Sequence, residues 1–399
     1  MLLSGYTCDP EAGSESANTW YTALELARLG AQVHVLTRSG DRDQLQQAVG
    51  QAADAGLPLE VSYLSDQVPS RVNRGQVGVY ARYGAFQRRV WRWTRDHDGW
   101  DVGHHISWGS VNHPVGLAGN VRPLVIGPAG GGQLLLPELR SWADGDVPLN
   151  RLRDLLGGRA VGLNPFTRTL VRQADVVLAA NDESANLLRR LGCAQVVMMI
   201  PDALRFVPGC AARSDHQSST IVWIGRFLPI KAAGLALAAF RDLASHIDSA
   251  NLVFVGDGPT AELVRAQGAD LIRAGRLSMT GALPWGQAQD ILARADVHLF
   301  TSLRDSFGAQ VLEAASWGVP TVALELGGVA SLRGLAGLEL VDAHPADDLP
   351  QRLGCALAGV LMEDGVDAQR RRAAAVEFAQ TATYESRARQ LLSLYTGLI

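Results

Sequence analysis

The chain has 399 residues, 47% of them hydrophobic and 19% charged, with a formal net charge of −4. That length asks for two domains rather than one core, and that composition excludes a disordered chain. The slightly acidic balance gives no ground for general nucleic-acid binding, so no nucleic-acid partner is expected.

The first half alternates short apolar runs with helical stretches. "MLLSGY" reads as a strand, and "SESANTWYTALELARLG" as a helix with Leu24, Leu26, Ala27 and Leu29 apolar and Gly30 as its stop. Further strands are expected at "QVHVLT", "LEVSYL", "DVGHHIS", "RPLVIG", "ADVVLAA" and "QVVMMI". Strands alternating with helices predict βαβ units around a parallel sheet. Residues 201–219 are rich in Pro, Ser and polar residues and read as a linker. Alternation restarts at "TIVWIG" and continues through "NLVFVG", "LSMTG", "DVHLFT" and "PTVALE". The last stretch, from "RRAAAVEFAQ" to the end, is expected to be helical throughout.

The expected fold is thus α/β, two doubly wound parallel-sheet domains facing a cleft. The expected bounds are a first domain over 1–204, a linker over 205–219, a second domain over 220–382, and a helix over 383–399 that returns to the first domain. Ligands of such sheets bind at the carboxyl ends of the strands.

Two stretches carry the chemistry. "GRFLPIKAAG" holds Gly225, Arg226 and Lys231, and Lys231 is the only lysine in a chain with 35 arginines. A loop that leaves a strand and opens a helix concentrates N–H groups and the positive dipole end. Two cations added there would make an anion site, one a planar fork and one a point charge. A surface loop with two solvated cations is the plain alternative. "TSLRDSFGAQVLEAASWGVPTVALELGG" places Asp305 and Glu313 eight residues apart across the Phe307-Gly308 turn. Carboxylates there could accept from sugar or ribose hydroxyls. Alternatively Asp305 is a helix cap and Glu313 a solvated helix residue.

In order and spacing, "GRFLPIKA", "GDGP" at 256–259, "DSFGAQVLE" at 305–313 and "GVPTVALELGG" resemble the retaining glycosyltransferases of the GT-B fold, family 4 in particular. The resemblance implies that Arg226 and Lys231 bind the diphosphate of a nucleotide-sugar and that Glu313 holds the ribose. Asp305 and the Phe307-Gly308 backbone would contact the sugar. Gly281 and Leu283, within "MTGAL", would border the base. Gly13, in a looser match over the first loop and helix, would let the backbone approach the donor. A histidine after the fourth strand, His104 or His105, would lie near the sugar. The implied reaction needs no cofactor and no metal, because the nucleotide-sugar is a co-substrate and the cations serve the leaving diphosphate. Its partner is an unspecified hydroxyl acceptor. Three residues depart from the family pattern: Asp305 stands for a Glu, Ala232 for a Gly, and "GGVASLRG" lacks an acid after its paired glycines. A PLP phosphorylase, with Lys231 as the Schiff-base lysine, and a non-catalytic nucleotide-sugar binder are the rival readings.

Other features are weaker. The D-x-D matches at 41–43, 96–98 and 144–146 could serve a metal but arise easily by chance, and "GPAGGGQ" at 127–133 could cradle an anion or simply turn. Residues 71–95 hold seven arginines and no acid, with Arg88, Arg92 and Arg95 on one helical face near Phe86, Trp91 and Trp93. That stretch could meet an anionic membrane surface or an acidic acceptor, or be a solvated face with its aromatics in the core. The four cysteines form no C-x-x-C pair, and the first residues lack a basic then apolar leader. A cytoplasmic setting is therefore expected, with peripheral contact at the inner membrane face left open.

Overall fold

The computed structural model describes residues 1–11, 15–106, 108–143, 161–210 and 218–399. The chain divides into two compact units. One holds Met1–Gly132, Leu156–Arg205 and Thr383–Ile399; the other holds Gln133–Leu155 and Phe206–Ala382.

The first unit is built on a seven-stranded sheet. Its strands are β1 (Leu2–Ser4), β2 (Val33–Arg38), β3 (Leu59–Leu64), β4 (Gly103–His105), β5 (Leu124–Ala129), β6 (Val176–Ala179) and β7 (Val196–Met198). Their spatial order is β3-β2-β1-β4-β5-β6-β7, and every pairing is parallel. Parallel strands need crossovers, and the crossover helices cover both faces, so the strands are nearly continuous apolar runs. Apolar clusters lie on either side: Leu2, Leu36, Phe86 and Ile126 in one, Leu3, Trp20, Val35 and Leu178 in the other. The period of two along β1 sends Leu2 and Leu3 to opposite cores.

The C-terminal stretch is two helices, Gly365–Thr381 and Tyr384–Thr396, rather than one. The Thr383 side chain accepts from Ser386 N and caps the second, so the break is a helix start that "TATYES" encodes. That second helix belongs to the first unit, where Ala388, Leu391 and Tyr395 are buried beside Leu3 and Trp20.

The second unit carries a six-stranded parallel sheet: β8 (Ser219–Ile224), β9 (Ala250–Val255), β10 (Leu277–Met279), β11 (Val297–Phe300), β12 (Thr321–Leu324) and β13 (Leu338–Val341). The order is β10-β9-β8-β11-β12-β13. Chain order reverses beside β8, so the ends of β8 and β11 flank the switch point where open sheets bind ligands. β13 was not expected from sequence. It is an edge strand with two of its four residues only partly buried, and "LELV" gives little β signal. A further difference concerns residues 133–143. Their Leu135, Leu139 and Ala143 pack into the core of the second unit with Trp223 and Phe240, although they precede the linker by some sixty residues of sequence. Nothing in their local pattern distinguishes the core they join.

Candidate active site

The site grows from the turn after β8. Gly225 N donates to Val255 O at 3.0 Å, and Phe227 N donates to Asp257 O at 2.9 Å. The turn after β8 is thereby laced to the turn after β9. This explains "GDGP" physically. Gly256 has φ +133, and a Cβ there would lie 1.9 Å from Gly225 O; Gly258 has φ +155, and a Cβ would lie 2.6 Å from Phe227 O. The glycines allow two backbones to touch.

Pro229–Lys231 then forms a single tight turn, and Ala232 takes the left-handed conformation (φ 49, ψ 51) before the helix Ala233–Ala244. That is why a glycine suits this position in the family pattern. Ala232 accepts the strain, about 1 kcal/mol, and is fully buried. The turn is clasped from β11. Trp223 Nε1 donates to Thr301 Oγ1 at 3.0 Å, and that hydroxyl lies 3.0 Å from both the Lys231 and Ala232 carbonyls. Leu303 N donates to Ile230 O at 2.8 Å.

The result places Lys231 against Asp305. Its Nζ forms an ion pair with Oδ2 of Asp305 and sits 5.7 Å from the Phe300 ring centroid. Both side chains are roughly a fifth to a quarter exposed, 18% and 26%, so the pair remains reachable from solvent. Arg226, one residue past Gly225, is exposed. The paired glycines do for Asp305 what Gly256 does for Gly225: a Cβ on Gly327 would lie 2.4 Å from Asp305 O, and one on Gly328 would lie 2.1 Å from Ser306 O.

Phe307 is buried, and Gly308 caps the helix Ala309–Ser316. A Cβ on Gly308 would come within 2.9 Å of the Phe300 ring, so close ring packing accounts for this glycine. Glu313, partly buried on that helix, accepts a 3.0 Å hydrogen bond from Trp285 Nε1. Sequence reasoning missed Trp285, because an indole 28 residues away carries no motif. Gly281 (φ +74) accepts from Gly256 N at 2.9 Å, with open space where a side chain would be. Leu283 packs partly buried beside Val222 and Val255. Arg226, Lys231, Asp305, Phe307, Gly308, Glu313, Gly281 and Leu283 therefore all lie in the second unit, and the contacts above tie their loops together.

The remaining candidates lie in the first unit. Gly13 falls outside the described residues. His104 and His105 end β4 and point to opposite faces, as successive strand residues must. Both nitrogens of His104 are engaged: Nε2–H donates to Gly127 O at 2.8 Å, and Nδ1 accepts from Tyr395 Oη at 2.5 Å. Burial lowers its pKa to about 4, so it is neutral at pH 7. His104 thus ties the C-terminal helix to the sheet. His105 Nε2 shares a 3.0 Å hydrogen bond with Tyr83 Oη, and Trp108 stacks on Tyr83 at 4.2 Å. This aromatic nest, which also takes in Tyr6, was not foreseen.

The weaker features resolve simply. Asp41 of the first D-x-D accepts from Cys8 N and from Arg38, the second D-x-D is exposed at a helix end, and the third lies outside the described residues. In the glycine-rich turn, Gly131 N and O are both bonded to Ser184 Oγ, so its backbone is spoken for. Among the described residues no helix is long and apolar enough to cross a membrane.

Comparison with known proteins agrees with this architecture. The family description "Glycosyl transferases group 1" matches residues 218–358, the core of the second unit. The D-inositol 3-phosphate glycosyltransferase of Rhodococcus jostii is 29% identical over 228 residues, 52% of this chain and 48% of that protein. The matched stretch thus spans about half of that relative. The enzyme of the same description from Kribbella flavida is 29% identical over 421 residues, 96% of this chain and 91% of its own. Among solved structures, HepE of Anabaena in complex with UDP superposes with a TM-score of 0.61 at 17% identity, covering 100% of this chain and 99% of its own. Residues 218–358 therefore match the description of the group 1 glycosyl transferases, and the chain has the two-sheet fold of the GT-B glycosyltransferases.

Proposed function

We propose that this protein transfers a sugar from a nucleoside diphosphate donor, a UDP- or GDP-sugar, to a hydroxyl acceptor with retention at the anomeric carbon. One observation carries the reading. The only side-chain amine in the chain meets a carboxylate where the loops after β8 and β11 converge, beside the start of a helix. A departing diphosphate needs positive charge where negative charge grows. Lys231 supplies a point charge and Arg226 a fork for two phosphate oxygens. Asp305 and the Phe307-Gly308 backbone would face the sugar. Glu313, held by Trp285, would accept from ribose hydroxyls, and the backbone at Gly281 and Leu283 would border the base. His105 takes precedence over His104 for the sugar-proximal role, because His104 has no nitrogen left to offer. The UDP bound to HepE supports trying UDP-sugars first.

The composition supplies the test. An amine-acetylating reagent can modify only Lys231 and the N-terminus, and acetylation removes the charge. UDP binding and donor turnover should fall about tenfold to a hundredfold, the worth of one charge-assisted hydrogen bond. UDP or GDP should protect. Full acetylation of Lys231 with normal nucleotide binding would remove the phosphate role. Because side-chain cations do the work, excess chelator should leave turnover nearly unchanged; loss restored by Mn²⁺ or Mg²⁺ would assign that work to a metal.

A further inference from the structure

The helix Gly75–Asp96 forms one wall of a groove that the donor reading does not use. Its free space is about 680 Å³, and the opposite walls come from the loops at 67–69 and 114–116. Arg88, Arg89 and Arg92 line it, and no carboxylate does. Among the described residues Arg88 and Arg92 make no ion pair or hydrogen bond. Gln87 also lines it, at 2% exposure. Its Oε1 accepts from Gly116 N at 2.7 Å, while its Nε2 has no hydrogen-bond partner among the described residues. Apart from Gln67, the rest of the lining is apolar or glycine, including Trp91 and Phe166, which are 41% and 47% exposed.

Three guanidinium groups and an orphaned amide donor leave a surplus of donors and positive charge. Each guanidinium fork takes two oxygens, so a phosphate monoester, with three free oxygens, suits the cluster better than a lone carboxylate. Exposed Trp and Phe beside a polar head suit a hydrocarbon stem. We propose that this groove binds a single phosphate-headed amphiphile, its head on Arg88 and Arg92 and its stem along Trp91 and Phe166.

The test uses the full chain and short-chain phosphatidic acid below its micelle concentration, read by calorimetry and by the thermal midpoint. Saturable binding is expected, and Arg88→Ala with Arg92→Ala should weaken it about tenfold or more. Both arginines are exposed, so the unliganded midpoint should not move. Inorganic phosphate should bind much more weakly, and a cationic amphiphile with the same tail should not bind. Equal binding by the double variant, or by the cationic amphiphile, overturns the proposal, as does inorganic phosphate binding as tightly as the lipid. Phosphatidylcholine vesicles with and without phosphatidate distinguish the sources. Dependence on phosphatidate that the double variant loses marks a bilayer lipid; binding of the monomer alone marks a free amphiphile. The readout is binding and needs no sugar transfer, so its failure leaves the donor reading standing.

Discussion

Lys231 has its charge answered by Asp305 before any ligand arrives. A diphosphate must therefore compete with, or join, an existing ion pair. This sets the sign of one prediction. Asp305→Asn removes the competing charge, so affinity for the bare nucleoside diphosphate should hold or rise, while kcat falls about tenfold or more as a contact to the sugar is lost. Glu313→Ala should do the opposite, weakening nucleotide binding about tenfold through the lost ribose acceptor. Equilibrium binding of UDP and GDP beside turnover separates the two, and the reverse pattern would exchange the roles. At this scale the sequence was legible where charge and position coincide. A solitary lysine after a strand, and two acids around a Phe-Gly turn, could be read directly. That both nitrogens of His104 are engaged could not, because it depends on Tyr395, 291 residues away, filling the Nδ1 position.

Among elements, the loops after β8 and β9 act as one piece. The two glycines of "GDGP" let the second loop lie against the first, and Gly225 and Phe227 are fixed by the bonds that result. Gly256→Ala would place a Cβ against a carbonyl oxygen in a backbone region closed to L side chains. We expect it to destabilise the protein by about 3 kcal/mol or more, with the loss of nucleotide binding exceeding the loss of stability. Denaturant unfolding beside UDP binding checks this; a cost below about 1 kcal/mol would show that the loops are not coupled. The strand-helix alternation was readable because parallel strands buried on both faces are continuous apolar runs. What was not readable was non-local. β13 has the weak signal of an edge, and residues 133–143 find their core through tertiary contacts alone. The helix break at Ala382 was encoded by Thr383, but a capping residue inside an apolar periodic run is easily passed over.

At the scale of the molecule, the sheet of each unit holds a fully buried histidine that burial keeps uncharged. His104 lies in β4 with a pKa lowered to about 4, and His298 lies in β11 with a pKa lowered to about 3, in both cases by burial. His298 Nδ1 lies 3.2 Å from Thr321 Oγ1, and its Nε2 has no hydrogen-bond partner among the described residues. Between the unfolded pKa near 6.5 and these folded values, the unfolded chain binds protons that the folded chain refuses. Stability therefore rises with pH across that window. It is fully present above about pH 6.5 and is lost as the pH falls toward the folded values. At pH 4.5 each histidine should have withdrawn roughly 2–3 kcal/mol, a large part of the stability of an ordinary domain. Denaturant midpoints at pH 7 and pH 4.5 read the effect. His298→Leu separates this from the titration of carboxylates, since it removes a buried proton acceptor and fills much of the same space. The variant should lose less stability than the parent between those two values, with its pH 7 stability within about 2 kcal/mol of the parent. If the variant and the parent lose stability equally on acidification, His298 is not the group that protonates on unfolding. The acid sensitivity of the second unit then belongs to other groups, such as Asp270, whose carboxyl the Arg241 guanidinium holds well below its usual range.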